Sequence, residues 1–173
     1  QVIRTNTGRS DIPVTVLPCS VNIERFSCAS GTRSRIRSSI GADNRFVVAY
    51  CGGLDVWQCI TESLNIVQQL RERLPEIFFL FLTAGNITPW QKELSAIGHS
   101  GLDYLVKSLQ PAEVPSYLSG ADCGLLIRKD DPVNAVASPT KLGEYLAAGV
   151  PVITTKYAGD APLIISRTGC GYV

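Results

Sequence analysis

Methionine is absent from this chain and histidine occurs once. The six cysteines, at positions 19, 28, 51, 59, 123 and 170, include no pair spaced CxxC. These shortages exclude a zinc site, which needs clustered His or Cys ligands at fixed spacing. A net charge of +1 supplies no basic field for nucleic acid. No apolar run approaches the roughly 18 residues of a membrane span; the longest, Ile77 to Leu82, has the length of a strand. A disulfide framework does not suit a 173-residue chain that is 45% hydrophobic. The expectation is reduced, mostly buried thiols in a cytoplasmic protein. No methionine stands even at position 1, and the chain ends in "GCGYV". Both ends suggest a segment of a longer polypeptide.

What is present is a regular alternation. Residues 1–11 read as a polar tail, and Ile12 to Leu17 as a short entry strand. Residues 28–45, rich in Ser, Gly and Arg, read as a surface connection with room for a short helix. Then "RFVVAYC" forms a buried strand ending at Gly52 and Gly53. Apolar residues from Val56 to Leu74 recur at helical spacing. Further strands are expected at "EIFFLFLTAG", "LDYLVKSL", "CGLLIR", "PVITT" and "GCGYV", separated by helices at 88–98, 110–121, 139–148 and 161–167. Nearly continuous apolar strands alternating with helices indicate a parallel sheet covered on both faces. The expected fold is therefore a doubly wound, Rossmann-like α/β domain over residues 12–173, with about six strands ordered near 3-2-1-4-5-6. Ligands of such sheets bind beyond the carboxyl ends of the strands, at the point where the order reverses.

Gly52, Gly53 and the loop from Arg128 to Pro139 fall at that end. So does the stretch "ASPTKLGEYLAAG". Ser138 reads as the N-cap of a helix, with Pro139 at its first position. Lys141 then stands where a capping box would place Glu or Gln. A cation near a helix amino end is disfavoured by about 0.3–1 kcal/mol. Together with the amides of Thr140 and Lys141 it would form an anion site suited to phosphate. Glu144, three residues on, could accept hydrogen bonds from a sugar diol. A solvated Lys141–Glu144 pair is the plain alternative. Gly52-Gly53 lacks the third glycine of GxGxxG, so a simple turn explains it equally well. His99 and the Arg128-to-Asp131 run read as surface residues, with Arg128 placed to reach a phosphate. Trp57 and Trp90 read as packing residues. No nucleophile–base set or paired catalytic carboxylates can be assembled.

The run "SPTKLGEYLAAGVPVITT" resembles the signature of the carboxyl-terminal domain of group 1 (family 4) glycosyltransferases with the GT-B fold. "IPVTVLPCSVNIERF", "ADCGLLI" and "AGDAPLIISRTGCGYV" resemble the segments before and after it, so the likeness covers about residues 12–173. The resemblance implies one half of a GT-B architecture that binds a nucleotide-sugar donor facing a second domain. It implies Glu144 on the ribose hydroxyls, with Lys141 and the backbone after Ser138 near the diphosphate. It implies transfer with retained configuration and no metal or other cofactor. A glycan or lipid-linked acceptor and the catalytic residue would belong to the missing domain, which would make this segment inactive alone. Surface polysaccharide synthesis is implied, with peripheral membrane contact only through that domain and no role for nucleic acid. This chain departs from the pattern at Val136, where many members carry an acid. Gly53 and Trp57-Gln58 stand where many carry basic residues, and Cys19-Ser20 replace Asn-Gly. These departures leave Lys141 and Arg128 as the basic groups for a diphosphate. A nucleotide-sugar epimerase of the same architecture and a doubly wound interaction module are the two other readings.

Overall fold

A computed structural model describes Gly8, Asp11, residues 13–15, 17–96 and 104–173. Ile12, Val16 and His99 lie outside the described residues, as does the side chain of Trp90. Residues 13–15 and 17, expected within an entry strand, carry no regular structure and are exposed.

Six strands form one parallel sheet: β1 (Phe46–Cys51), β2 (Ile77–Thr83), β3 (Tyr104–Ser108), β4 (Cys123–Leu126), β5 (Val152–Thr154) and β6 (Gly171–Tyr172). Their order is β3-β2-β1-β4-β5-β6, the doubly wound order expected from the sequence. Both faces of the central strands β1 and β2 are buried, so each of them serves two cores by simple alternation. Val47 and Ala49 of β1 join Phe78, Leu80 and Leu82 of β2 on one face. Val48 and Tyr50 join Ile77, Phe79 and Phe81 on the other. Helices α2 (Ile60–Arg73) and α3 (Thr88–Ala96) cover the second face, through Leu64, Val67 and Leu94. The first face is covered by α4 (Val114–Leu118), α6 (Thr140–Ala147) and α7 (Ala161–Thr168), through Leu118, Leu142, Tyr145 and Ile165. Burying each such side chain contributes about 1.5–3 kcal/mol.

Local chemistry moves some boundaries. Helix α2 starts later than its periodicity suggests. Val56–Gln58 form a single 3-10 turn, and Cys59, left-handed at φ 51°, redirects the chain before Ile60. Val56 is 91% exposed and Trp57 half-exposed, so neither is the core residue the pattern implied. The loop at 129–137 holds one helical turn, α5 (Pro132–Ala135), capped by Asp131 Oδ1 accepting from Val133 N. All six cysteines are free, but Cys19 and Cys28 are exposed, and Cys59 and Cys123 alone are fully buried.

The arginine-rich segment is a fastener rather than a solvated arm. Helix α1 (Thr32–Ser39) carries Arg33 and Arg37 to one carboxylate. Asp122 Oδ1 accepts from Arg33 Nη2 at 2.5 Å, and Oδ2 accepts from Arg37 Nη1 at 2.9 Å and Val47 N at 2.7 Å. Arg33 also donates to the carbonyls of Ser119 and Ala121. One acid thus ties α1 to the starts of β1 and β4. Partial burial pushes the Asp122 carboxyl up, but the Val47 amide and the two guanidiniums outweigh it and hold it below the usual carboxylate range.

Asp122→Ala should lower stability by about 2 kcal/mol, because charged hydrogen bonds contribute roughly 1.5–3 kcal/mol. A lowered folded value gives stabilisation that is present above the unfolded pKa of about 3.9. It is lost as pH falls through the folded value. Urea denaturation should therefore show a constant gap between parent and variant at pH 6–7, shrinking below about pH 4. An equal gap at low pH would contradict the assignment.

Candidate functional site

Beyond the carboxyl ends of β1, β2 and β3 lies a cleft of about 430 Å³, within the range of small-molecule sites. Its floor is Cys51, Gly52 and Gly53 after β1, and Leu82, Thr83 and Ala84 at the end of β2. One wall is apolar, from Leu109, Pro111 and Val114. The segment Ser20–Phe26 forms another, and Thr140 and Glu144 of α6 complete it. Among the lining residues Glu144 is the one carboxylate and Arg25 the one cation.

Helix α6 is fixed against the sheet by Tyr145, which is fully buried. Its hydroxyl accepts from Cys51 N at 2.9 Å and lies 3.2 Å from Leu125 O, to which it donates. Gly124 makes room, since a Cβ there would stand 2.8 Å from the Tyr145 ring. Gly143 does the same for Val21, whose Cγ1 would lie 3.1 Å from a Cβ. Glu144 is therefore held at the cleft wall by its neighbour's packing.

The entry to α6 differs from the expected cap. The helix begins at Thr140 with Pro139 as the cap residue, and no side chain caps it. The Ser138 hydroxyl accepts from Cys19 N at 2.9 Å and donates to Asp160 Oδ2 at 2.6 Å. Ser138 thus joins the segment before the cleft to the turn before α7, rather than satisfying the helix amides.

Lys141 is not the solvated misfit suggested by its position. It is 7% exposed, folded back beneath the cleft floor. Its Nζ donates to Gln58 Oε1 at 3.0 Å and sits 4.0 Å from the centre of the Tyr50 ring. The Tyr50 hydroxyl donates to Gly53 O at 2.9 Å and lies 3.2 Å from the same Gln58 oxygen. Burial, reinforced by the charge of Arg128, pushes Lys141 down to about 7 against the opposing pull of Cys51 and Glu144. Arg128 is also buried, at 6% exposure, and donates to Ile127 O at 2.9 Å. Cys51 lies beside them at the cleft floor, its thiol pushed up to about 11 by burial and by Glu144, so it stays protonated.

The structure therefore brings Gly52, Gly53, Thr140 and Glu144 together on the cleft surface. Lys141 and Arg128 lie behind that surface, and Ser138 and Pro139 support it. Sequence reading missed Asn22 and Arg25, which line the cleft. Asn22 Oδ1 accepts from Glu24 N at 2.9 Å, and Arg25 Nη2 donates to Pro111 O at 3.1 Å. The signal available was the stretch "IPVTVLPCSVNIERF", whose likeness marks the segment; only the fold brings its side chains, more than a hundred residues from α6, to the cleft. Within the described residues no cluster of metal-ligating side chains occurs.

A family model described as "Glycosyl transferases group 1" matches residues 45–173. Over 45 residues the chain is 47% identical to the putative teichuronic acid biosynthesis glycosyltransferase TuaH of Bacillus subtilis, a stretch amounting to 26% of this chain and 11% of that protein. Among solved structures it is similar to WaaG, a glycosyltransferase involved in lipopolysaccharide biosynthesis, with a TM-score of 0.72 and 17% identity over 92% of this chain and 42% of that one. HepE of Anabaena, solved with UDP-glucose, gives a TM-score of 0.64 at 18% identity, covering 82% of this chain and 38% of HepE. The C-terminal domain of a group 1 glycosyl transferase (LpcC) from Francisella tularensis gives 0.65 at 16% identity, over 89% of this chain and 80% of that one. At these identities the structures establish a shared fold. The chain spans about two fifths of WaaG and HepE.

Lys141→Met should stabilise the unliganded chain, since it removes a buried cation that has no carboxylate partner. The folded value near 7 lies below the unfolded lysine value of about 10.4. Below pH 7 the folded state bears the full cost of the charge, and the cost declines as pH rises toward 10.4. Thermal melts should show the variant above the parent at pH 6, with the difference narrowed at pH 9. A parent more stable than the variant at pH 6 would refute this.

Proposed function

The chain belongs to the group 1 glycosyl transferases, and from that premise we propose that its cleft binds the nucleotide-sugar donor of such an enzyme. The observation that carries the reading is the meeting of Glu144, Thr140 and Gly52-Gly53 on one cleft at the carboxyl ends of parallel strands. Phosphates favour close backbone approach and free amides at such a place. The glycines permit the first, and the first turn of α6 supplies the second. Glu144 is the acceptor for the ribose hydroxyls. The apolar wall at Leu109, Pro111 and Val114 offers a base a flat surface.

The finer parts of the proposal follow from the family likeness. A sugar passes from the nucleoside diphosphate to a glycan or lipid-linked acceptor held by a second domain, with retention at the anomeric carbon. The diphosphate charge is met by basic side chains and amides without a metal. The product contributes to a surface polysaccharide or glycolipid. The site works on the cytoplasmic side, at the inner face of the membrane when the acceptor is lipid-linked. HepE was solved with UDP-glucose, so uridine diphosphates are the first donors to test.

Calorimetric titration of the chain with UDP, GDP and ADP should give saturable binding of at least one. Glu144→Gln should weaken it by about ten- to hundredfold, as expected when a charged hydrogen-bond acceptor worth 1.5–3 kcal/mol is lost. A folded chain that binds none of the three, or a Glu144→Gln variant with unchanged affinity, would defeat the proposal.

A further inference from the structure

Two cations lie buried at this end of the sheet, and neither is hydrogen-bonded to an acid. Lys141 and Arg128 are 7% and 6% exposed, and neither forms an ion pair with a described carboxylate. Burying like charges without a counter-charge is costly, and the group that can lose its proton is the one that yields. A guanidinium keeps its charge at any physiological pH. The lysine amine is therefore the one that gives way.

The groups in contact with Lys141 supply no fixed negative charge. From β1 come the Tyr50 ring and the Cys51 thiol, both kept un-ionised by burial. From the turn at Val56–Gln58 comes the neutral amide of Gln58. From the end of β4 comes the cation Arg128. On its own helix, Tyr145 is occupied by Cys51 N and Leu125 O. Glu144 acts on Lys141 only through space and lines the cleft, while the ammonium's hydrogen bond goes to Gln58. Asp55 acts on Tyr50 rather than on the lysine.

Gly52 connects the buried Lys141 to the cleft. It lines the cleft with φ 153°, and a Cβ built on it would stand 2.7 Å from Lys141 Nζ and 3.2 Å from the Tyr50 hydroxyl. The ammonium thus reaches the cleft floor where a side chain is missing. An anion resting on Gly52 would stand beside the Lys141 amine and supply it with a counter-charge from the cleft side.

Building on the donor-site reading, we propose that diphosphate binding over Gly52 is coupled to uptake of one proton by the Lys141 amine. The amine's lone pair takes a proton from solvent as the anion arrives, and the same proton leaves when the nucleoside diphosphate departs. The resting value near 7 agrees with this geometry. Donor affinity then falls with pH above 7, by up to about tenfold for each pH unit. Release of the spent nucleotide is favoured by the same rise in pH.

The test is a pH titration of the chain carrying lysine labelled with 13C at Cε, followed by NMR alone and with saturating UDP or inorganic pyrophosphate. Lys141→Arg identifies the resonance by its loss. The expected result is a Lys141 midpoint near 7 in the free chain, moved upward by about two pH units or more by either ligand. UDP affinity, measured on the same protein, should fall at least tenfold from pH 7.5 to 9. A free midpoint in the ordinary lysine range overturns the inference. UDP binding with an unmoved midpoint overturns the coupling and leaves the donor site standing. Pyrophosphate moving the midpoint while UDP fails to bind supports the coupling and defeats the donor reading. Binding of neither ligand defeats both.

Discussion

The Tyr145 phenol joins the three elements on which the cleft depends. It sits fully buried against Gly124, and its oxygen contacts the backbone of β1 at Cys51 and of β4 at Leu125. These two strands flank the point where the strand order reverses. A buried hydroxyl with both partners in place fixes distance and direction together, because leaving either partner unmet costs about 1–3 kcal/mol. The helix carrying Tyr145 cannot slide along the sheet without breaking this contact. Thr140, Lys141 and Glu144 inherit their positions from it.

That anchoring sorts the charges by depth. Glu144 and Arg25 meet the cleft, while Lys141 and Arg128 lie below its floor. Charges at the surface are softened by water, and those below act through a medium of low dielectric constant. An anion bound in the cleft would therefore feel the lower layer more strongly than its distance alone suggests. It also destabilises the unliganded fold, a conflict often found where structure serves binding. The glycine at position 52 lets the two layers meet, because any Cβ would collide with the Lys141 ammonium.

Much of this was legible in the residue order. Phe46–Cys51 and Ile77–Leu82 are apolar throughout, which a parallel sheet buried on both faces requires. The strand order followed from the alternation with helices and the handedness of crossovers. Glu144 stood out by its spacing from Lys141 and by likeness to a family signature, and the two glycines by their place after the first strand. Other features had no local signal. Val56 matched the helical period and is nevertheless exposed, because Cys59 turns the chain before α2 begins. Ser138 has the composition of a cap, yet its hydroxyl is engaged by Cys19 and Asp160, which lie far away in sequence. Asp122 gathers Arg33 and Arg37 from about 85 residues earlier.

The sequence alone determined the class of fold, the end of the sheet at which the cleft opens, and the residues of the signature helix. Those follow from periodicity and composition, which act over a few residues. Only the tertiary structure decided which side of the cleft floor each charge occupies. The lysine in "SPTKLGEYL" reads locally as a poorly placed cation at a helix start. Packed beneath Gly52 beside Tyr50, Gln58 and Arg128, it becomes a buried amine poised to gain or lose a proton. Its ionisation depends on partners from the ends of β1 and β4 and from the turn at Val56–Gln58, and no local rule of sequence brings those together.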